Sequence, residues 1–237
     1  MSFIRLLVSE IPEPGRSLEL TPDQAHHLFR VRRKGGGDLV ILQTPQGRRA
    51  LAEIVGNGSE DPLVVCRELM QDVKSVLPIE LYPALLPDSA FAFLLQKSTE
   101  VGVKKITPVI TEFTVAKVGD LAKKLSRWQK ICDEAACQCG GVPALVEEPL
   151  RFGEVLEKVE CGLKVLADGS GIFLRDLEGE VSGAALMIGP EGGHSAREMS
   201  MAMEAGWRKV AFHPFIMRAE TAAPVCAALL QQRFGEF

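Results

Sequence analysis

The sequence predicts an α/β protein: a small strand-rich first part, then a larger part with a mostly parallel sheet and helices on both faces. Three observations carry this expectation. Short apolar runs, broken by Gly, Pro and Asn-Gly signals, crowd residues 3–69 with one helical segment among them. Beyond residue 78, apolar runs of strand length alternate with segments of helix length. The composition, 46% hydrophobic and 24% charged over 237 residues, suits one large globular domain or two smaller ones.

Residues 3–8, 38–43, 47–54 and 63–69 read as strands. Among them "TPDQAHHLFRV" reads as a helix, with Thr21 as N-cap, Pro22 at the first position and Gln24 closing a capping box. The glycines of "RRKGGGD" end it. Several short strands with one helix predict a small barrel of about 70 residues. The boundary is expected within 70–78, giving parts 1–72 and 73–237. "IELYPALL" is then a strand, and Asp88 or Ser89 caps a helix through "AFAFLLQKSTEVGV". "KITPVI" is a strand, and "LAKKLSRWQKICDEAACQCG" is a long amphipathic helix ending at Gly140, with Trp128 on its core side. A helix near 150–160 and the strands "LKVLAD" and "AALMI" follow. Ser195 and Glu198 form a capping box for a helix closed by Gly206. The strand "KVAF" and the helix "AETAAPVCAALLQQRF" come last.

No run of about 18 uncharged apolar residues exists, so no membrane span is expected. "MSFIRLLVSEIPEP" is interrupted by Arg5 and reads as a first strand rather than a signal peptide, which makes a cytoplasmic location the default. Six cysteines are scattered, and Cys137-Gln138-Cys139 is too close for a zinc knuckle. Reduced thiols and no metal site are expected. Net charge is −4, yet six basic residues against one acid lie between His26 and Arg49, and eight against three between Lys97 and Lys130. These blocks are either solvated faces or a phosphate-binding surface.

The stretch "MIGPEGGHSAREM" joins a buried strand to a helix N-terminus through Gly189-Pro190-Glu191-Gly192-Gly193. A tight strand–helix turn is one reading; backbone approached closely by a ligand at a strand's carboxyl end is the other. A β-branched residue at Gly192 is expected to fit poorly, on the assumption of a positive φ there. No P-loop, dinucleotide fingerprint or nucleophile elbow is present. Glu191 would repel phosphates and suits a cationic ligand rich in hydrogen-bonding groups, such as a sulfonium nucleoside.

Five stretches occur in order: "HHLFRVRRKGGGD", "QKSTEVGVKKITPVITEFTV", "RWQKICDEAACQCG", "MIGPEGGHSAREM" and "FIMRAETAAPVCAALL". Together they resemble the ribosomal RNA small-subunit methyltransferase E family of the SPOUT superfamily. The resemblance implies a PUA-like RNA-binding barrel before a SPOUT domain with a deep trefoil knot. It implies S-adenosylmethionine as cofactor, N3-methyluridine in the decoding region of 16S ribosomal RNA as product, and a homodimer acting on the small ribosomal subunit. It places the cofactor among Leu166, Ala167 and Asp168, then Ile188, Gly189, Pro190, Glu191, Gly192 and Gly193, then Phe212, His213, Ile216 and Met217. Two stretches depart from the family pattern: His213-Pro214-Phe215 in the third loop and Gly140-Gly141 after the long helix.

Methylating uridine N3 requires loss of its proton, so a base or a cation that stabilises the anion is needed. Arg218 is assigned as that cation, against a structural or intersubunit salt bridge. Glu220 either orients Arg218 or favours the helix N-terminus. Glu191 is either the base or an acceptor that fixes its loop. Arg30, Arg32, Arg33 and Lys34 would contact RNA phosphates, with a solvated surface as their other reading. Lys97 joins them as an RNA contact, although Lys97 and Glu100 also have ordinary ion-pair spacing. A non-catalytic RNA-binding assembly factor, or a SPOUT enzyme for another RNA site, are the competing functions.

Overall fold

The computed structural model describes residues 3–56, 58, 61–73, 77–115, 119–179 and 181–235. Two compact units result: Met1–Lys74 with Cys137–Val142, and Ser75–Ala136 with Pro143–Phe237.

In the first unit, β1 (Ile4–Leu7), β2 (Ser17–Glu19), β3 (Leu39–Gln43), β4 (Arg49–Ile54) and β5 (Leu63–Met70) form one sheet in the order β1-β3-β4-β5-β2. β1 runs parallel to β3, and the other pairs are antiparallel. Burial alternates along β4: Ala50, Ala52 and Ile54 face the core with Leu28, Leu42 and Val64. Closure of a barrel needs the two edges to pair; among the described residues no such pairing is seen, and the edge strands β1 and β2, of four and three residues, pair with β3 and β5.

The helix at Thr21 is also different. Its capping box forms, but only one α-turn, α1 (Pro22–Ala25), follows before the chain widens into a π-helix over His26–Val31. Arg32 N donates to the His27 carbonyl five residues back, at 2.9 Å. This keeps Leu28 in the core while Arg30, Arg32 and Arg33 are exposed. The turn ends before the three glycines. Lys34 N donates to the Leu28 carbonyl at 3.1 Å, and the left-handed residue is Arg33, with φ +54°. Residues Cys137–Val142 complete this unit, with Gln43 Nε2 donating to the Gly141 carbonyl at 2.6 Å. A single cut after residue 72 does not contain that return.

The second unit comprises β6 (Ile79–Pro83), α2 (Asp88–Glu100), β7 (Lys105–Ile106), β8 (Val109–Ile110), most of α3 (Leu121–Cys139), β9 (Leu145–Val146), β10 (Leu150–Arg151), α4 (Phe152–Lys158), β11 (Leu163–Phe173), β12 (Ala184–Ile188), α5 (Ala196–Glu204), β13 (Arg208–Ala211) and α6 (Ala219–Phe234). Six strands form one sheet in the order β13-β11-β12-β6-β7-β9, all parallel. β8 and β10 make a separate parallel pair. Both faces of the large sheet are buried, which is why β12 is a continuous apolar run. On one face Leu81, Val165 and Leu186 meet Phe91, Leu95, Trp128, Ala223 and Leu230. On the other, Tyr82, Leu166 and Met187 meet Phe152, Val155, Ala202 and Trp207. Of the small residues of α6, Ala219, Ala223 and Ala227 are buried in the first of these cores, while Ala222 and Ala228 stay partly exposed.

β11 pairs with β12 through Leu166↔Met187 and with β13 through Ala167↔Val210. It then bulges and resumes with Ile172 registered again on Val210. The intervening Asp168–Gly171 are thrown out of the ladder. Gly171 lies so close to β13 that a Cβ would overlap the Lys209 carbonyl and the Val210 nitrogen. Gly171→Ala is therefore expected to destabilise the protein by about 2–3 kcal/mol, since backbone cannot yield as a side chain does. Denaturant unfolding checks this, with Gly169→Ala as control because open space surrounds that position.

Candidate active site

β13, β11 and β12 are neighbours and parallel, so their carboxyl ends lie side by side. Loops leave the ends of β12 and β13, and the bulge Asp168–Gly171, taken here as the first loop, interrupts β11 at the same level. Such edges collect ligands because strand-end backbone groups and helix N-termini converge there.

In the first loop Leu166 is buried, and Ala167 and Asp168 are half-buried. Asp168 Oδ1 accepts from Ser170 N at 2.8 Å and from the Ser170 hydroxyl, which itself accepts from Lys209 Nζ at 3.2 Å. Burial alone would raise the Asp168 carboxyl. The Ser170 hydrogen bonds, with the charges on Lys209 and His194, hold it below its ordinary value. The bulge thus carries a fixed anion.

The second loop follows buried Ile188. Pro190 is buried, and Glu191 and Gly192 are exposed. Gly193 N donates to the Pro190 carbonyl at 2.8 Å, closing a turn whose left-handed residue is Gly193, with φ +71°. The positive φ expected at Gly192 is therefore one residue further on. A Cβ on Gly189 would stand 3.0 Å from the His194 ring. Glu191 is exposed on this turn.

Ser195 Oγ accepts from Glu198 N at 3.2 Å, and Glu198 Oε2 accepts from Ser195 N at 3.0 Å, as the capping box requires. Glu198 is buried, and its Oε1 also accepts from Glu112 N at 2.8 Å. Residue-type patterns do not reveal that second bond. His194 was likewise missed, although it sits between the glycines and the N-cap. Burial pushes its pKa below the ordinary value, against the pull of Glu198 and Asp168. Its ring packs 5.4 Å from that of Phe152, and Nε2 is buried without a hydrogen-bond partner.

In the third loop Phe212 and Met217 pack against the core, while His213, Pro214, Phe215 and Ile216 are exposed. Phe215 N donates to His213 Nδ1 at 3.1 Å. Arg218 is the N-cap of α6 and is exposed; its carbonyl accepts from Thr221 N and Ala222 N at 2.9 and 2.8 Å. No ion pair joins Arg218 to Glu220 among the described residues. Glu220 stands in the first helical turn, and its Oε2 is buried without a hydrogen-bond partner.

The basic residues lie elsewhere in the chain. Arg30, Arg32 and Arg33 are exposed around the π-helix, with Arg32 Nε donating to His27 Nε2 at 3.3 Å. Lys34 is paired with Asp38 at 2.9 Å. Lys97 is paired with Glu100 at 2.8 Å, as ordinary helix spacing allows. Among the described residues no cluster suits a metal ion, and no helix is long and apolar enough to cross a membrane.

A left-handed residue with a branched Cβ is strained by about 1–2 kcal/mol. Gly193→Val should therefore lower the thermal unfolding midpoint more than Gly192→Val does. The reverse order in paired melts would put the left-handed residue at Gly192.

Residues 73–231 match the model of the RNA methyltransferase domain family. Curated relatives include the ribosomal RNA small subunit methyltransferase E of Synechocystis, 32% identical over 94% of this chain and 76% of the relative. That of Aquifex aeolicus is 27% identical over 72% of this chain and 77% of its own. Among solved structures, a methyltransferase from Legionella pneumophila, in complex with bound S-adenosylmethionine, superposes with a TM-score of 0.94 at 28% identity and full coverage of both chains. The small subunit methyltransferase E from Neisseria gonorrhoeae, bound to S-adenosyl methionine, gives 0.92 at 28% identity, again with full coverage of both. The site sits within the matched region, and the chain belongs to the ribosomal RNA small subunit methyltransferase E family of RNA methyltransferases.

Proposed function

We propose that the protein transfers a methyl group from S-adenosylmethionine to N3 of a uridine in the decoding region of 16S ribosomal RNA. It acts in the cytoplasm as a homodimer on the small ribosomal subunit. Its first unit serves as a PUA-like RNA-binding module and its second as a knotted SPOUT domain. The observation that carries the reading is the grouping of the β11 bulge with the loops that leave β12 and β13, three neighbouring parallel strands, within a chain of this family.

The residues fit the cofactor. The glycine turn offers backbone without side chains, and a Cβ at Gly189 would already press on His194. His194 Nε2 is a buried polar atom awaiting a partner. Asp168 is held ionised in the bulge of β11, and Glu191 is exposed in the loop that follows the neighbouring β12, so carboxylate acceptors stand on two of these segments, as a cationic ligand requires. Ile188, Gly189, Pro190, Gly192, Gly193, Leu166, Ala167, Phe212, His213, Ile216 and Met217 complete the cradle. When bound, S-adenosylmethionine supplies an electrophilic methyl group.

Arg218 stabilises the negative charge that spreads over uridine O2 and O4 as N3 loses its proton. Its placement as an N-cap is informative, because a cation gains nothing from the helix dipole there. Glu220, unpaired with Arg218, favours the positive helix end. The exposed Glu191 carboxylate or water would take the N3 proton, leaving N3 free to accept the methyl group, and the sulfonium that gave it up would leave as a neutral thioether. The uridine must be unpaired for N3 to be reached. Arg30, Arg32, Arg33 and Lys34 position RNA through phosphates, and Lys97 adds a further contact. The small and apolar face of α6, with Ala222, Val225, Ala228 and Leu229 only partly buried, supplies surface for the second copy.

Arg218→Ala should lower single-turnover methyl transfer to small subunits by about 10²–10³ while leaving calorimetric cofactor affinity intact. Lysine should restore it only in part, because a point charge lacks the guanidinium's planar fork. Parallel loss of cofactor affinity would make Arg218 a structural residue, and no cofactor binding by the unmodified protein would favour a non-catalytic assembly factor.

Changing Arg32 and Arg33 together to alanine should weaken target and unrelated RNA alike and reduce the salt slope of binding by about two phosphate contacts' worth. Filter binding over a salt series measures this. Unequal losses would mean that these arginines read sequence.

A further inference from the structure

We propose that Phe113 is the platform on which the target base stacks; this rests on reading the glycine turn as the methyl-donor site. Phe113 lies in van der Waals range of the open side of Gly192. A Cβ built on Gly192 would lie 3.8 Å from Phe113 Cβ and from its ring. The phenyl nevertheless remains 46% exposed, so the core does not use it.

The segment that carries Phe113 is held rigidly. Glu112 N donates to Glu198 Oε1 at 2.8 Å, and Glu198 is itself only 7% exposed. Thr111 N donates to Thr114 Oγ1 at 2.9 Å, and the two hydroxyls are 2.9 Å apart. The same Glu198 caps the helix that the glycine turn leads into. One buried carboxylate therefore fixes the ring's backbone relative to the turn. A half-exposed aromatic ring on a backbone held by these hydrogen bonds offers a base a stacking face.

Charge selects the occupant. Glu112 and Glu191 are both exposed, one next to Phe113 in the chain and the other next to Gly192. Two carboxylates at this lip disfavour a phosphodiester and tolerate an uncharged ring. A flipped uracil meets that requirement, and stacking on it repays part of the cost of leaving its helix. Phe113 acts as a positioning residue that holds N3 in line for transfer, and proton removal stays with the other groups.

The experiment uses the full chain, S-adenosylmethionine and small ribosomal subunits that lack the modification. Phe113→Ala and Phe113→Leu should lower kcat/KM for the subunit by about 5- to 150-fold, the range produced by losing one base–aromatic stack. Cofactor affinity and thermal midpoint should not change. Phe113→Tyr and Phe113→Trp should keep activity, since both retain a π face. Trp128 and Trp207 are each 2% exposed, so the indole of Phe113→Trp is the accessible fluorophore, and subunits should quench it without cofactor. Full activity in the leucine variant would reduce the role to bulk. Loss of cofactor affinity in the alanine variant would make Phe113 a wall of the cofactor site. Either result overturns the stacking role alone. Failure of the unmodified protein to methylate subunits would instead overturn the functional reading, and the stacking role with it.

Discussion

The candidate site depends on one register: three neighbouring parallel strands, β13, β11 and β12, whose ends are held level by their hydrogen bonds. Leu166 faces Met187, and Ala167 faces Val210, so each strand delivers its chain to the same edge. Slipping one strand by a single residue would turn its apolar side chains to the opposite face. Here both faces are buried, and a slip would still break packing, because Leu186 and Met187 belong to different cores. The level edge is thus protected by the hydrophobic interior, and loop chemistry is free to vary above it.

Close approach is the second constraint. Gly171 passes against the backbone of β13, where no side chain fits. The bulge that results is what carries Asp168 out of the ladder and toward Ser170 and Lys209. A residue whose job looks purely steric therefore decides where a fixed negative charge stands. Glu198 does something similar by a polar route. Its two oxygens serve different segments, Ser195 and Glu112, so a helix cap doubles as a clamp on the loop bearing Phe113. A buried carboxylate is tolerated because both oxygens are hydrogen-bonded.

The first unit shows how local conformation can be spent on presenting charge. An α-helix over Pro22–Val31 would have satisfied the sequence pattern. The π-helix and the left-handed Arg33 instead bury Leu28 and leave Arg30, Arg32 and Arg33 in solvent. Irregularities of this kind cost free energy and concentrate at functional surfaces.

The sequence by itself determined the alternation of strands and helices, the buried run Ala184–Ile188, the two capping boxes at Thr21 and Ser195, and the family. These are legible because apolar periodicity and cap chemistry act over a few neighbouring residues, and because five ordered motifs identify relatives. Only the tertiary structure decided which strands pair in the first sheet, that the left-handed residue of the glycine turn is Gly193, and that Cys137–Val142 return to the first unit. It alone brought Glu198 to Glu112, Gly171 to β13 and Phe113 to Gly192. Apart from the φ of Gly193, which belongs to a turn closed locally on Pro190, each of those joins segments distant in the chain. No window of sequence contains the partner atoms, so no local pattern could have announced them.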